Sequence, residues 1–145
     1  MTMLFTQDRE KLRSYFRECW EGHVAGAIQT PLETLVAEVV AEHPEYHAAV
    51  LDERSLEREW HPEDGATNPF LHMGLHIALR EQLSTDRPAG IRDVARQLLT
   101  KFKDGHAAEH AAIDCLAESL WLAQQHQAEP DEAAYLECLR TLARS

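Results

Sequence analysis

The chain is poor in the features that most quickly assign a protein to a class. It has three cysteines, Cys19, Cys115 and Cys138, widely spaced and without a C-x-x-C. That excludes a thiolate zinc knuckle and a thioredoxin-like motif. An odd set that does not pair evenly fits a reducing compartment. Basic residues are scarce: 14 Lys and Arg against 25 Asp and Glu give a net charge of −11. The phosphates of nucleic acid or of an anionic membrane demand clustered Lys and Arg, so neither partner is expected. The acid excess serves solubility. No apolar run approaches the ~20 residues needed to cross a bilayer. The segment from Met1 to Glu10 lacks the apolar core of a signal peptide, and the expected location is cytoplasmic. No useful length of chain alternates with period two, which leaves no sheet. A nucleophile elbow, a P-loop and a dinucleotide-binding glycine pattern are all missing, and no nucleophile stands beside a base at recognisable spacing.

What is present is helical periodicity. A chain of 145 residues, 44% hydrophobic and 27% charged, fits one domain, 1–145, with a core of its own. Leu12, Tyr15, Phe16, Cys19 and Trp20 mark a first helix, ended by Gly22 and Gly26. Thr30-Pro31-Leu32-Glu33 combines a cap, a proline at the first helical position and a capping box. The helix it starts is expected to bury Leu32, Leu35, Val36 and Val39 on one face, which continues to His43 and Tyr46. Pro44 removes a donor and disfavours helical geometry at His43, so a kink or fresh start is expected there.

From Asp52 to Thr67 the chain is polar, with Pro62 and Gly65 marking a surface connection and Trp60 covering an edge of the core. Asn68-Pro69 opens a helix to about Leu83 that is apolar nearly all round, which marks a central, well-covered element. In the connection after it, Asp86 and Arg87 pair with each other or cap the next helix. Ile91, Val94, Ala95, Leu98, Leu99 and Phe102 define an amphipathic helix. Asp104-Gly105 breaks the chain before a long helix to about Gln125. Its expected inward face holds Ile113, Leu116, Ala117 and Leu120, with Cys115 pointing away. A last helix from Pro130 buries Tyr135, Leu136, Leu139 and Leu142. The expected fold is all-α, a single-domain helical bundle of five to six helices.

Histidines carry the chemistry. Random placement of nine histidines gives roughly one half of a pair four residues apart, whereas the sequence has three: His43/His47, His72/His76 and His106/His110. Side chains at that spacing share one helix face and can grip one ion. His43, His72, His76, His106 and His110 all project to the apolar faces of their helices, where a polar ring needs a partner. Glu109 shares the His106/His110 face and offers an anionic oxygen. These six are the candidate metal ligands, and a mixed imidazole and carboxylate set suits Zn, Fe, Mn or Ni. They suffice for a two-metal centre, or for one ion with further residues around it. The zinc-peptidase H-E-x-x-H is absent, and the di-iron Glu-x-x-His occurs only in reverse, as His106-x-x-Glu109. His47 sits at the edge of the apolar arc, and His23, His61 and His126 belong to loops or helix ends. Glu38, Glu42 and Glu45 flank His43 and can orient it. Glu81 is a candidate buried acid paired with Arg80 or with another helix.

The stretches His43-Pro44-Glu45-Tyr46-His47, Asn68 to His76 and Glu81 to Ile91 together resemble a small bacterial family, the domain of unknown function number 1841. The resemblance also covers His106 to His110 and Pro130-Asp131-Glu132, and so nearly the whole chain. It implies a bacterial source and a stand-alone domain, and carries no activity with it. A looser likeness is to hemerythrin-like and DinB-like bundles, which hold metals with histidines on facing helices; this chain lacks their full ligand order. The expectation is a metal-binding helical protein with a His-rich internal site and no assigned reaction or substrate. The alternative is a non-enzymatic interaction or regulatory module, homodimeric through an apolar helix face, with structural or pH-sensing histidines.

Overall fold

Helix starts are set by side chains that accept the first free N–H groups. In the computed structural model, which describes residues 6–61, 63, 65 and 67–145, α1 spans Thr6–Val24 and α2 spans Pro31–Ala41. Thr30 caps α2: Glu33 N–H donates to its hydroxyl at 3.2 Å, and Thr30 N–H donates to the Glu33 carboxylate at 2.8 Å. Past Pro44 a 3-10 turn, Pro44–Tyr46, leads into a one-turn helix, α3, at His47–Leu51. A second 3-10 turn covers Glu53–Leu56. Helix α4 spans Pro69–Thr85, and the Asn68 side chain accepts from Phe70 and Leu71 N–H at 3.0 and 3.2 Å. Helices α5 (Ile91–Phe102), α6 (Gly105–Gln125) and α7 (Glu132–Arg144) complete the chain. Asp86 accepts from Arg92 N–H at 3.0 Å, the capping role expected of that connection.

Among the described residues there are seven α-helices and no strand. The all-α class holds, and the count exceeds the expected five to six. The added element is α3, the fresh start that Pro44 forces. Pro62 lies outside the described residues. No described helix is long and apolar enough to cross a membrane.

Contacts cluster in two compact units, Met1–Ile77 and Ala78–Ser145. In the first, α1 packs on α2 around Phe16, Val36, Val39, Val40, Phe70 and Met73, with Trp60 against the edge of this core. Phe70 meets Phe16 edge-on at 5.6 Å between ring centres. Arg13, only 3% exposed, anchors the polar connection by donating to Ser55 and Arg58 carbonyls at 2.8 Å each. Its guanidinium also lies 5.1 Å from the Trp60 ring centre and 5.2 Å from that of Phe70.

In the second unit α5, α6 and α7 pack on one another through Ile91, Val94, Leu98, Ile113, Leu116 and Leu139. Two sequence expectations fail on α6. Cys115 points inward and forms a disulfide with Cys138, leaving Cys19 as the free, buried thiol. With two of the three cysteines paired, the thiols give no support to the expected reducing compartment. Leu120, placed inward by periodicity, is 41% exposed, because α5, about 18 Å long, cannot cover all of an α6 about 31 Å long. Two other helices are less covered than the sequence suggests: Leu32, in the first turn of α2, is exposed, and so are Leu71 and Glu81 on α4.

Candidate metal centre

His43 follows the end of α2, where Pro44 stops the helix and turns the ring inward. The side chain is 2% exposed, and its Nδ1 lies 2.7 Å from the Val39 carbonyl. A carbonyl can only accept, so Nδ1 carries the proton and the lone pair resides on Nε2. The orienting group is thus the main chain of α2. Of the flanking acids expected to orient the ring, Glu38 and Glu45 are exposed.

His72 and His76 stand one turn apart in the first half of α4, held there by the Asn68 cap. His76 is fully buried and His72 half-buried. Their Nε2 atoms are 3.1 Å apart. The His43 ring centre is 4.7 Å from that of His76 and 5.3 Å from that of His72, and the three rings meet edge to face. One ring nitrogen from each lies within 4.8 Å of the others. Two imidazoles from α4 and one from the bend after α2 therefore converge inside the first unit.

Tyr46 forms one wall. Its ring lies nearly parallel to His43, 5.6 Å away at 6°, and 6.0 Å from His72. Burial, with the charge of Glu45 adding to it, raises the phenol above its ordinary value. Val39, Met73 and Ile77, next to these histidines in sequence or bonded to them, belong to the buried core of the same unit.

The remaining sequence candidates sit together in the second unit, at the start of α6. Asp104 caps that helix, accepting from His106 N–H at 3.2 Å. The His106 and His110 ring centres are 4.4 Å apart. His106 is exposed and His110 half-buried. The Glu109 carboxylate is gripped by Arg80, with Nη2 at 3.0 Å and Nε at 3.1 and 3.3 Å. Arg80 thus serves Glu109; the pairing with Glu81 read from sequence is not formed.

His47 is diverted from the cluster. Its Nε2 meets the Val40 carbonyl at 2.8 Å, and its ring packs on Trp20 with centres 4.5 Å apart. His23, His61 and His126 are exposed, as expected of loops and helix ends. Two contributors escaped sequence reasoning. The Val39 carbonyl has a weak signal, its position four residues before His43. Tyr46 was placed on the same face as His43, and its role as a wall follows from that placement.

Residues 8–141 match the sequence model of the family described as Domain of unknown function (DUF1841), and the chain belongs to that family. The resemblance read from the sequence is borne out over nearly its whole length. No curated protein and no solved structure matches the chain.

Proposed function

We propose that this member of the family is a metal-binding protein that holds a divalent transition ion on the Nε2 atoms of His43, His72 and His76. The observation that carries this reading is the convergence of three buried or half-buried imidazoles, one of them with its tautomer fixed by Val39. A ring nitrogen whose neighbour donates to a carbonyl is oriented and made more basic, the arrangement common around metal-ligating histidines. A purely nitrogen donor set favours zinc, nickel or copper over manganese or iron by intrinsic affinity. Three ligands leave at least one position of a four-coordinate ion for water, a substrate or a further side chain. His106, Glu109 and His110 remain proposed ligands as a group of their own at the start of α6. A bound water at such a site is acidified and polarised, the starting point for hydrolysis. X-ray absorption at the metal edge tests the reading: three or more imidazoles at about 2.0–2.1 Å support it, and a shell of oxygen alone rejects it.

One observation favours a second reading, in which the histidines are structural and the protein an interaction module. The separation of 3.1 Å between His72 and His76 Nε2 is also that of a hydrogen bond. The readings separate on chelator. Stability indifferent to a strong chelator supports the structural role, and a melting point lowered by it supports the metal.

A further inference from the structure

We propose that the second unit also binds a small amphiphilic carboxylate in a cavity framed by α5, α6, α7 and the end of α4. The cavity encloses about 400 Å³, within the range of about 300–1,000 Å³ that small-molecule sites occupy. Its apolar wall includes Leu79, Leu83, Leu98, Ala108, Ala112 and Leu139. The space is made by small side chains. Ala108 and Ala112 bring little bulk from α6, and a Cβ built on Gly105 meets nothing within 4 Å.

Arg92 and Arg96 line the same cavity, one turn apart on α5. The Arg92 guanidinium is fixed by carbonyls, with Nε donating to Leu83 at 2.7 Å and Nη2 to Ser84 at 2.6 Å. These carbonyls position the guanidinium without adding charge, while the Asp86 carboxylate acts electrostatically on both Arg92 and Arg96. Asp86 accepts the main-chain N–H of Arg92. Arg96 pairs with Asp93 at 2.7 Å, but both side chains are about three-quarters exposed, the kind of pair that contributes little and exchanges readily. Glu109 also lines the cavity, and Arg80 already answers its charge at 3.0 Å. The site thus offers an apolar interior and two positive groups. That chemistry selects an acyl or aryl carboxylate of roughly eight to ten carbons, the tail inside and the carboxylate on the arginines.

Calorimetric titration of the full chain with octanoate, beside octanol as the uncharged equivalent, tests this. Octanoate should saturate one site, with octanol about tenfold weaker, the difference expected of a charge-assisted contact. Arg96→Gln, at an exposed position, should weaken octanoate several-fold and leave octanol unchanged. Ala108→Leu, which fills the cavity, should abolish both while the melting curve stays cooperative. If Ala108→Leu unfolds the chain, Arg92→Gln with Arg96→Gln decides. The proposal is overturned by absence of saturation, by equal affinity for octanoate and octanol, by an unchanged Arg96→Gln, or by a heat that tracks self-association of the chain.

Discussion

The Nε2 atoms of His72 and His76 face each other across 3.1 Å. With bonds of ~2.1 Å, one ion touching both would subtend about 95°. Opening the pair by about 0.3 Å reaches the tetrahedral separation. His43 completes the cluster from the bend after α2, with Nδ1 committed to Val39. The pair on one turn supplies proximity, and the proline bend supplies the third side chain.

Single substitutions should divide the nine histidines sharply. His43→Ala or His76→Ala is expected to weaken zinc binding more than about hundredfold, beyond what loss of an outer orienting group costs. His47→Ala and His126→Ala should change it less than about threefold, since His47 is held by Val40 and Trp20 and His126 is exposed. A competition titration against a chromogenic chelator measures this. Equal effects at His76 and His126 would contradict the assignment. His110→Ala and Glu109→Gln, run alongside, test the proposed ligands on α6 separately.

Arg13 ties α1 to the polar connection before α4. Arg13→Met keeps much of the volume and removes the donors to Ser55 and Arg58. The expected cost is about 2–4 kcal/mol, combining lost charged hydrogen bonds and stacking on Trp60 and Phe70. Arg13→Lys should recover little of it, because an ammonium cannot reproduce the planar fork. Urea denaturation followed by Trp fluorescence reads both, and a cost below about 0.5 kcal/mol for Arg13→Met, the scale of an ordinary surface substitution, would contradict the clamp.

The Cys115–Cys138 bond spans 23 residues and joins α6 to α7. Chain-entropy arguments give about 3 kcal/mol for a loop of that length. Reductant, or Cys115→Ser with Cys138→Ser, should lower the melting temperature accordingly. Unfolded, unreduced protein should alkylate at one thiol, Cys19, and reduced protein at three. Three alkylated thiols without reductant would remove the bond from the account.

All three tyrosines have phenols raised above the ordinary value. Tyr15 is pushed up to about 12, chiefly by burial and then by Cys19, and burial raises Tyr46 and Tyr135 as well. A raised folded value means the neutral phenol is favoured in the fold. Its contribution is fully present below the unfolded value of about 10 and is lost as pH rises through the folded value. Alkaline titration at the phenolate absorbance should show little ionisation at pH 10 and a cooperative rise near 12 that coincides with unfolding. A simple titration centred on 10 would contradict burial of these rings.

The sequence carried the local features and lost the long-range ones. The caps at Thr30 and Asn68, the bend at Pro44 and the pairing of His72 with His76 are set by neighbours within a turn, so spacing revealed them. The disulfide depends on how α6 and α7 pack, and a separation of 23 residues gives no signal for it. The Arg80–Glu109 pair failed for the same reason: Glu81 is adjacent in sequence, yet on a helix adjacent side chains diverge, and the partner comes from 29 residues on. The periodicity of α6 was real, but exposure of Leu120 follows from the unequal lengths of packed helices, which composition does not record.

The central claim is metal binding by His43, His72 and His76. Elemental analysis of untagged protein purified without chelator, followed by zinc titration of the stripped chain, tests it most directly. About one equivalent should be bound, restored on titration and lost in His76→Ala. Less than about a tenth of an equivalent, with no binding on titration, would contradict it.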